Sequence, residues 1–187
     1  MMSTTHHYAV FETARGFCAM AWAGNGIAGF RLPGEAAEET RGAMRRRLPS
    51  AIEAEPSVWI GQVIERVRTY FVGDEADFSD LVLDLSGQTD LYRRIYDATR
   101  RLGWGKATTY GALAGELDLG PAGAWTIGQA MAKNPIPLIL PCHRVLAAGG
   151  KLGGFSAPGG TVSKQRMLEL EGLPSVEASP AQQSFDF

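Results

Sequence analysis

A proline-framed apolar segment, Asn134-Pro135-Ile136-Pro137-Leu138-Ile139-Leu140-Pro141, constrains the fold of this chain more than any other stretch. Pro135 and Pro137 fix φ and remove two backbone donors, so the segment cannot form a helix. Its apolar residues predict an extended, buried stretch that ends at Cys142. Because a buried segment holds its end in place, the sequence indicates that Cys142 occupies a fixed position.

The residue after Cys142 is His143, and the pair suggests nucleophilic chemistry. A cysteine reacts as its thiolate, and lowering its pKa from about 8.5 needs a nearby cation or a base. Neighbouring side chains point apart in an extended chain, so we expect a water molecule to bridge Cys142 and His143. A carboxylate on the other imidazole nitrogen would set the tautomer and support the basicity of His143.

The composition is that of a globular protein in a reducing, cytoplasmic setting. The chain has 187 residues, 45% of them apolar, and two cysteines, so it can build a core but not a disulfide framework. No apolar run approaches the roughly 18 residues of a membrane span, and the first residues lack a signal-peptide pattern. We therefore expect no association with membranes. We also expect a monomer.

Charge divides the chain into three parts, and we predict domains at 1–87 and 88–172, followed by a disordered tail at 173–187. The first part has 8 basic and 12 acidic residues, the second has 10 and 6, and the tail has none and 2. The basic second part hints at a surface for a polyanion. Ordinary solvated charge explains it equally well.

The first part predicts an α/β domain, with strands at 8–11, 17–22 and 27–30 and helices at 35–48 and 58–71. Cys18 lies in an apolar run and is expected to be a buried small hydrophobe. His6, His7 and Cys18 fall short of the four ligands of a structural zinc site, so no metal is expected.

The second part is mainly helical. After a helix from Thr89, either Thr108 or Thr109 can cap a short helix that runs to Leu117. Pro121 can begin a second helix, whose predicted inner face is Ala124, Ile127, Ala130 and Met131. Two short helices joined by a glycine-containing turn predict a helix-turn-helix whose second helix enters a DNA groove. An ordinary helical hairpin is the alternative.

The run Pro141-Cys142-His143-Arg144-Val145 resembles the active-site signature of the O6-alkylguanine-DNA alkyltransferases, the methylated-DNA–protein-cysteine methyltransferase family. The resemblance covers about residues 8–172, with separate stretches agreeing in order at 70–73, 89–99, 105–114, 127–145 and 164–172. It implies a ribonuclease-H-like α/β N-terminal domain and a mainly α C-terminal domain with a winged helix-turn-helix.

The resemblance implies DNA repair without a cofactor. An O6-alkylguanine is rotated out of duplex DNA, and the alkyl group moves irreversibly to Cys142, with O4-alkylthymine as a second candidate substrate. Water cannot hydrolyse the resulting thioether, so each molecule acts once.

The family roles can be assigned residue by residue. The implied catalytic set is Cys142 as nucleophile, His143 as water-linked base, Glu171 as the carboxylate that orients it and Asn134 as a brace. The implied DNA contacts are Tyr110, Ala124, Trp125, Thr126, Gln129 and Arg144, of which Arg144 is also expected to be a structural anchor. The implied pocket residues are Met131, Leu140, Val145, Phe155 and Ser156.

Two positions depart from the family pattern. Most relatives carry an arginine on the recognition helix where this chain has Trp125, and no arginine lies between Arg101 and Arg144. We predict that Trp125 acts as an apolar wedge that stacks on the orphaned base, and the alternative is that it packs inside the hairpin. Phe155 stands where a tyrosine is usual, so a hydroxyl donor is missing from the pocket.

Two other functions compete with alkyl transfer. The missing arginine suggests a lesion-binding sensor of the alkyltransferase-like kind, although those proteins lack the cysteine. A cysteine hydrolase would also use Cys142 and His143 but would turn over and need no DNA. Finally, Gln182–Phe187 resembles the short peptides that bind the bacterial sliding clamp, which makes the clamp a candidate partner.

Overall fold

A computed structural model describes residues 5–24, 26–156 and 159–174, and the chain divides into two compact units. The first unit runs to Gly87 and includes Pro135–Ile139, whereas the second comprises Gln88–Asn134 and continues from Leu140. The sequence-based boundary after residue 87 assigns Pro135–Ile139 to the second domain instead. Backbone pairing explains the difference, because the Phe30 N–H donates a hydrogen bond of 3.1 Å to the Pro135 carbonyl.

The first unit is an α/β structure, as its alternating strand and helix patterns predict. Its strands are β1 (His7–Thr13), β2 (Gly16–Ala23), β3 (Gly26–Gly34) and β4 (Ile52–Glu53), and its helices are α1 (Ala37–Arg47) and α2 (Val58–Val72). The sheet order is β3-β2-β1-β4, with antiparallel pairing except between β1 and β4. Tyr8, Ala19, Ala21 and Met44 pack together in its core. Cys18 is fully buried there, in agreement with the sequence.

The second unit is mainly helical. It contains α3 (Asp90–Arg100), β5 (Thr108–Thr109), α4 (Tyr110–Glu116), α5 (Gly123–Ala132), a 3-10 turn (Cys142–Arg144), β6 (Val145–Leu146), a second 3-10 turn (Ala148–Gly150) and α6 (Gly160–Leu170). The strands β5 and β6 pair in parallel. Of the two candidate caps for α4, Thr109 is used, because its side chain accepts a hydrogen bond from the Ala112 N–H at 3.1 Å.

The pair α4–α5 corrects two sequence predictions. Helix α5 begins at Gly123, two residues after Pro121. Gly123 packs closely against α4, where an added Cβ would lie only 2.7 Å from the Ala114 Cβ. The side chains of Ile127, Ala130 and Met131 are buried as predicted. Ala124, which was placed on the inner face, is exposed.

None of the helices within residues 5–24, 26–156 and 159–174 has the length and apolar character that a membrane span requires. In the same ranges, no group of three or more His, Cys, Asp and Glu side chains is arranged to hold a metal ion. The tail from residue 175 onward, including Gln182–Phe187, lies outside the described residues.

Candidate active site

The proline-framed segment is buried, but it is not extended throughout. Ile136, Leu138, Ile139 and Leu140 are each at most 2% exposed. Leu138 adopts a φ of 76°, in the left-handed region, so the segment contains a turn that the sequence did not predict. Asn134 holds the two ends together, because its side-chain N–H donates a hydrogen bond of 2.8 Å to the Leu140 carbonyl.

The nucleophile candidate lies on a tight 3-10 turn and not at the end of an extended strand. The Cys142 N–H bonds to the Leu140 carbonyl at 2.7 Å, and the Arg144 N–H bonds to the Pro141 carbonyl at 2.9 Å. Cys142 is 5% exposed. Cys142 and His143 are therefore not neighbours in an extended chain, where successive side chains would point apart.

The neighbouring imidazole is held by a buried carboxylate. His143 is fully buried, and its Nε2 lies 2.6 Å from the Glu171 Oε1. Glu171 also accepts hydrogen bonds from the Arg144 Nε at 2.8 Å and Nη2 at 3.0 Å, and from the Gly105 N–H at 3.3 Å. A carboxylate with this many donors holds the ring in one orientation.

The Arg144 guanidinium is withdrawn from the surface and is held by other groups of the second unit. Its side chain is 6% exposed, it makes a two-point contact with Glu171, and its Nη1 donates to the Leu102 carbonyl. The expectation that Arg144 contacts DNA is therefore corrected, and the expectation of an anchor agrees with the structure. The sequence analysis did not identify Leu102 and Gly105, because they contact Arg144 and Glu171 through backbone groups, which every residue type has.

The ionisation of this cluster follows from burial and charge. Burial raises the pKa of Glu171, but the hydrogen bonds and charges of His143 and Arg144 outweigh it and lower the pKa to about 2. Burial lowers the pKa of His143, although Glu171 opposes the effect. Burial therefore favours the neutral form of His143, which is the form that can accept a proton.

The pKa of the Cys142 thiol is set by opposing effects. Burial raises it above its ordinary value. A hydrogen bond from Asn134 and the charge of Lys164 both lower it. Backbone hydrogen bonds at Cys142 and His143 also lower it, but burial is the largest effect and the pKa stays above its ordinary value.

Lys164 is a residue that sequence reasoning did not single out. It is fully buried, and its Nζ donates a hydrogen bond of 2.6 Å to the Val145 carbonyl. Burial lowers its pKa to about 8. The sequence did carry a sign of this burial, because Lys164 lies on the same face of α6 as the apolar residues Met167 and Leu168.

The predicted pocket residues differ in how far they are buried. Met131, Leu140 and Val145 are buried at 6%, 1% and 0% exposure, whereas Phe155 is half-buried. Ser156 is exposed and donates a hydrogen bond of 3.0 Å to the Ala132 carbonyl.

Tyr110 packs closely against backbone. A Cβ at Gly153 would lie 2.6 Å from its Cε2 and 2.8 Å from its hydroxyl oxygen, so Gly153 fits under the ring only because it has no side chain. Burial raises the pKa of Tyr110 to about 12. Sequence reasoning missed Gly153, since the contact joins residues 43 positions apart in the chain.

The predicted DNA-contact residues of α5 lie mostly on its outer surface. Trp125 is 70% exposed and Ala124 is exposed, while Thr126 and Gln129 are half-buried. Trp125 therefore does not pack inside the hairpin, which was the alternative to the wedge. The Thr126 hydroxyl donates to the Ala122 carbonyl at 3.1 Å.

Fold and site define a class of protein: an α/β unit and a helical unit, the latter holding a buried cysteine beside an imidazole–carboxylate pair. A family profile described as "6-O-methylguanine DNA methyltransferase, DNA binding domain" matches residues 90–173. A methylated-DNA–protein-cysteine methyltransferase from Methanothermobacter thermautotrophicus is 35% identical to this chain. The match includes 65% of this chain and 66% of that protein, slightly under two thirds of the relative's length.

For two other relatives, the match includes a larger share of the relative's length. A Mycobacterium tuberculosis protein of the same name is 32% identical over 88% of this chain and 92% of its own length. A Thermus thermophilus DNA base-flipping protein is 39% identical over 66% of this chain and 80% of its own length. The chain therefore belongs to the methylated-DNA–protein-cysteine methyltransferase family.

A solved structure agrees with this assignment. The crystal structure of Mycobacterium tuberculosis OGT in complex with DNA is 29% identical, with a TM-score of 0.71, and the match covers 88% of this chain and 92% of that one.

Proposed function

We propose that this protein repairs DNA by transferring an alkyl group from O6-alkylguanine in duplex DNA to Cys142, once per molecule. The observation that carries the proposal is the buried set of Cys142, His143 and Glu171, in which the carboxylate holds the imidazole at 2.6 Å. Family membership supports the same activity.

The transfer is a substitution at an sp³ carbon. The Cys142 thiol gives its proton, through a water molecule, to the Nδ1 of His143, because Nε2 is engaged by Glu171. The sulfur then forms a bond to the alkyl carbon while the bond from that carbon to the guanine O6 breaks. The electron pair of the broken bond stays on the guanine, which takes up one proton and is restored. No cofactor is required.

Other residues prepare the site for this step. Asn134 braces the segment before the nucleophile and bonds to the thiol. Tyr110 crowds the phosphate of the target nucleotide and favours its rotation. Met131, Phe155 and Ser156 line the space for the extruded base, together with the backbone at Leu140, Cys142 and Val145. Extruding a base costs a few kcal/mol of stacking, and less where the base is already mispaired.

Two finer features of the fold belong to the same proposal. The first unit is ribonuclease-H-like. In the second unit, α4 and α5 form a winged helix-turn-helix whose second helix meets DNA, with Trp125, Ala124, Thr126 and Gln129 on or near that surface. The small residues of α5 permit a close approach to a groove.

Trp125 fills the gap that an extruded base leaves in the duplex. Its 70% exposure supports this role, because an intercalating side chain has to project from the surface. The indole would stack on the unpaired partner base in place of the usual arginine.

A mass measurement tests the function. The protein is incubated with duplex DNA that carries O6-methylguanine, and the Cys142 peptide is then weighed. We expect a gain of one methyl group on Cys142 and one equivalent of restored guanine. A Cys142→Ser variant provides the matched control and should stay unmodified.

The relative named a DNA base-flipping protein makes a lesion sensor the second candidate. A sensor would bind the modified duplex while the mass of Cys142 stays unchanged. A cysteine hydrolase would instead turn over in the absence of DNA. The same incubation therefore separates the three functions.

The wedge is tested by replacing the indole. Trp125→Ala should lower both duplex affinity and the rate of transfer, whereas Trp59→Ala, which removes a partly exposed tryptophan of the first unit, should change neither. Unchanged affinity and rate in Trp125→Ala would contradict the wedge.

Assembly and location complete the proposal. The protein works in the cytoplasm as a monomer on double-stranded DNA, and Gln182–Phe187 is a candidate contact for the sliding clamp. Equal clamp binding by a chain that ends at Gly172 would contradict the clamp contact.

A further inference from the structure

Three arginine side chains gather at the end of helix α1 in the first unit. Arg46 and Arg47 belong to the last turn of this helix, and Arg31 reaches it from β3. Arg46 and Arg47 are exposed, whereas Arg31 is half-buried. These three residues form the α1 arginine cluster, and none of them belongs to the proposed alkyl-transfer site.

Contacts with α1 place two of the guanidinium groups at consecutive residues of the helix. The Arg31 Nη2 donates a hydrogen bond of 3.0 Å to the Ala43 carbonyl. The Arg46 Nη1 lies 3.4 Å from the position that a Cβ would take on Gly42. Both groups therefore lie over the same turn of α1. Arg47 is four residues after Ala43, so it leaves the same face of the helix one turn further on.

Carboxylates balance the other arginines of α1 but not Arg31 and Arg46. Arg41 and Arg45 both pair with Glu53. In the described part of the chain, no ion pair with a carboxylate involves Arg31 or Arg46. The last turn of a helix favours cations, which accounts for Arg46. It does not account for Arg31, which belongs to a strand.

Arg31 is held at a cost in the absence of a ligand. Its Nε is buried without a hydrogen-bond partner among the described residues. Burial, the charge of Arg47 and the charge of Arg46 all lower the pKa of Arg31, because each disfavours its cation. An arginine nonetheless stays charged in a protein, so positive charge accumulates at this end of α1. A bound anion would offset that cost.

The positive charge of the first unit is concentrated around α1. Residues 1–87 carry 8 basic and 12 acidic groups, so the unit as a whole is acidic. Four of the 8 basic residues lie on α1, and Arg31 contacts this helix from the neighbouring strand. Because the remaining surface carries mostly negative charge, an anionic partner is attracted to this end of the unit and repelled elsewhere.

We propose that the α1 arginine cluster binds backbone phosphates of duplex DNA, as a contact additional to that of α5. A guanidinium presents paired N–H donors that match the oxygens of a phosphate. Exposed arginines on the outside of a helix suit a polymer that lies across them better than a small anion, and DNA also gains from counterion release. The inference goes beyond the proposed alkyl transfer, because it concerns the affinity for DNA and not the chemical step.

The salt dependence of binding to an undamaged duplex, followed by fluorescence anisotropy, tests the contact. Each phosphate contact adds about 0.9 to the slope of log K against log salt. We therefore expect Arg46→Gln/Arg47→Gln to lower the slope by about two and the affinity about 10- to 100-fold near 0.1 M salt. Arg46→Lys/Arg47→Lys keeps both charges and should keep the slope.

Arg41→Gln/Arg45→Gln is the matched control for this measurement. It removes two charges from the same helix, but Glu53 already balances these charges. The control should leave the slope unchanged. An unchanged slope in Arg46→Gln/Arg47→Gln, or an equal loss in the control, would overturn the proposal.

Arg31→Met distinguishes a binding role from a structural one. Methionine fills part of the same space without a charge or an unpaired donor, so the melting temperature in the absence of DNA should stay the same or rise. Duplex binding should weaken at the same time. A lower melting temperature together with unchanged duplex binding would assign Arg31 to the stability of the first unit and overturn its place in the cluster.

Two other occupants predict different results. A site for a small anion predicts that inorganic phosphate raises the melting temperature more than chloride at equal ionic strength, while Arg46→Gln/Arg47→Gln leaves the duplex slope unchanged. An interface with a second copy of the chain predicts a dimer in sedimentation that the same variant abolishes, again with an unchanged slope. Either result would overturn the DNA contact.

Methyl transfer distinguishes a failure of this inference from a failure of the proposed function. With a saturating duplex that carries O6-methylguanine, Arg46→Gln/Arg47→Gln should transfer at the rate of the unaltered protein but need more DNA to reach half of that rate. Normal binding by a variant that still transfers would overturn the contact alone. Weakened binding in a protein that accepts no methyl group would support the contact and overturn the proposed function.

Discussion

Removing the charge of Glu171 should destabilise the second unit strongly. The pKa of this buried carboxyl falls from 4.5 to about 2, because its donors outweigh the effect of burial. Each pKa unit corresponds to about 1.4 kcal/mol, so the carboxylate contributes about 3 kcal/mol to the folded state at neutral pH. Glu171→Gln also leaves the buried Arg144 guanidinium without its counter-charge, and breaking such a pair costs about 3–5 kcal/mol.

The contribution of Glu171 depends on pH with a defined sign. Its folded-state pKa is lowered, so the stabilisation is fully present above the unfolded-state pKa of 4.5 and disappears as the pH falls toward about 2. The stability difference between the unaltered protein and Glu171→Gln should therefore stay constant from pH 7 to about pH 5 and narrow below that.

Denaturant and thermal unfolding measure this difference. A loss of about 3 kcal/mol corresponds to a melting temperature lower by roughly 6–12 °C in a chain of this length. Glu169→Gln is the matched control, because the same substitution two residues earlier affects an exposed carboxylate and should change stability by less than about 0.5 kcal/mol. Equal stability of Glu171→Gln and the unaltered protein at pH 7 would refute the reasoning.

Three further predictions concern single side chains. Gly153→Ala introduces a methyl group 2.6 Å from the Tyr110 ring, so the ring has to move and the single-turnover transfer rate should fall about 10- to 100-fold. Cys18 is fully buried and burial raises its thiol pKa, so Cys18→Ser should transfer normally while losing about 1–3 kcal/mol of stability by denaturant unfolding. Gly26→Ala forces a Cβ into a backbone with φ 119° and within 2.4 Å of a carbonyl oxygen, so it should cost more than about 1 kcal/mol by the same measurement.

These predictions have matched controls. Gly61→Ala and Gly24→Ala place a methyl group where no atom lies within 4 Å, and neither should slow transfer or lower stability comparably. A normal transfer rate in Gly153→Ala would contradict the packing of Tyr110. Methylation of Cys18 by damaged DNA would contradict its inertness, and full stability of Gly26→Ala would contradict the strain.

Local patterns were sufficient to predict β1 to β3 and α1 to α5, but not the two-residue strands β4, β5 and β6. The sequence offered Thr108 and Thr109 as caps for α4, and the structure uses Thr109. Helix α5 starts at Gly123 instead of Pro121. The close packing of Gly123 against Ala114 is a tertiary contact, which local helix propensity does not encode.

In the candidate site, too, local sequence patterns predicted some features and missed others. The motif around Cys142 was sufficient to predict Cys142 as a candidate nucleophile with His143 beside it. The family pattern added Glu171, whose Oε1 lies 2.6 Å from the His143 Nε2. The extended backbone predicted before Cys142 was wrong, because two prolines exclude a helix but do not forbid the turn at Leu138.

By itself, the sequence determined which side chains are available, because each residue type carries its own reactivity. Only the tertiary structure decided their electrostatic partners. Arg144 is bound to Glu171 and withdrawn from the surface, and the Lys164 Nζ lies 5.7 and 5.9 Å from the centres of the Tyr110 and Phe155 rings. The physical reason is that burial and Coulombic interaction depend on distances in space, and these distances cannot be read from the separation of residues along the chain.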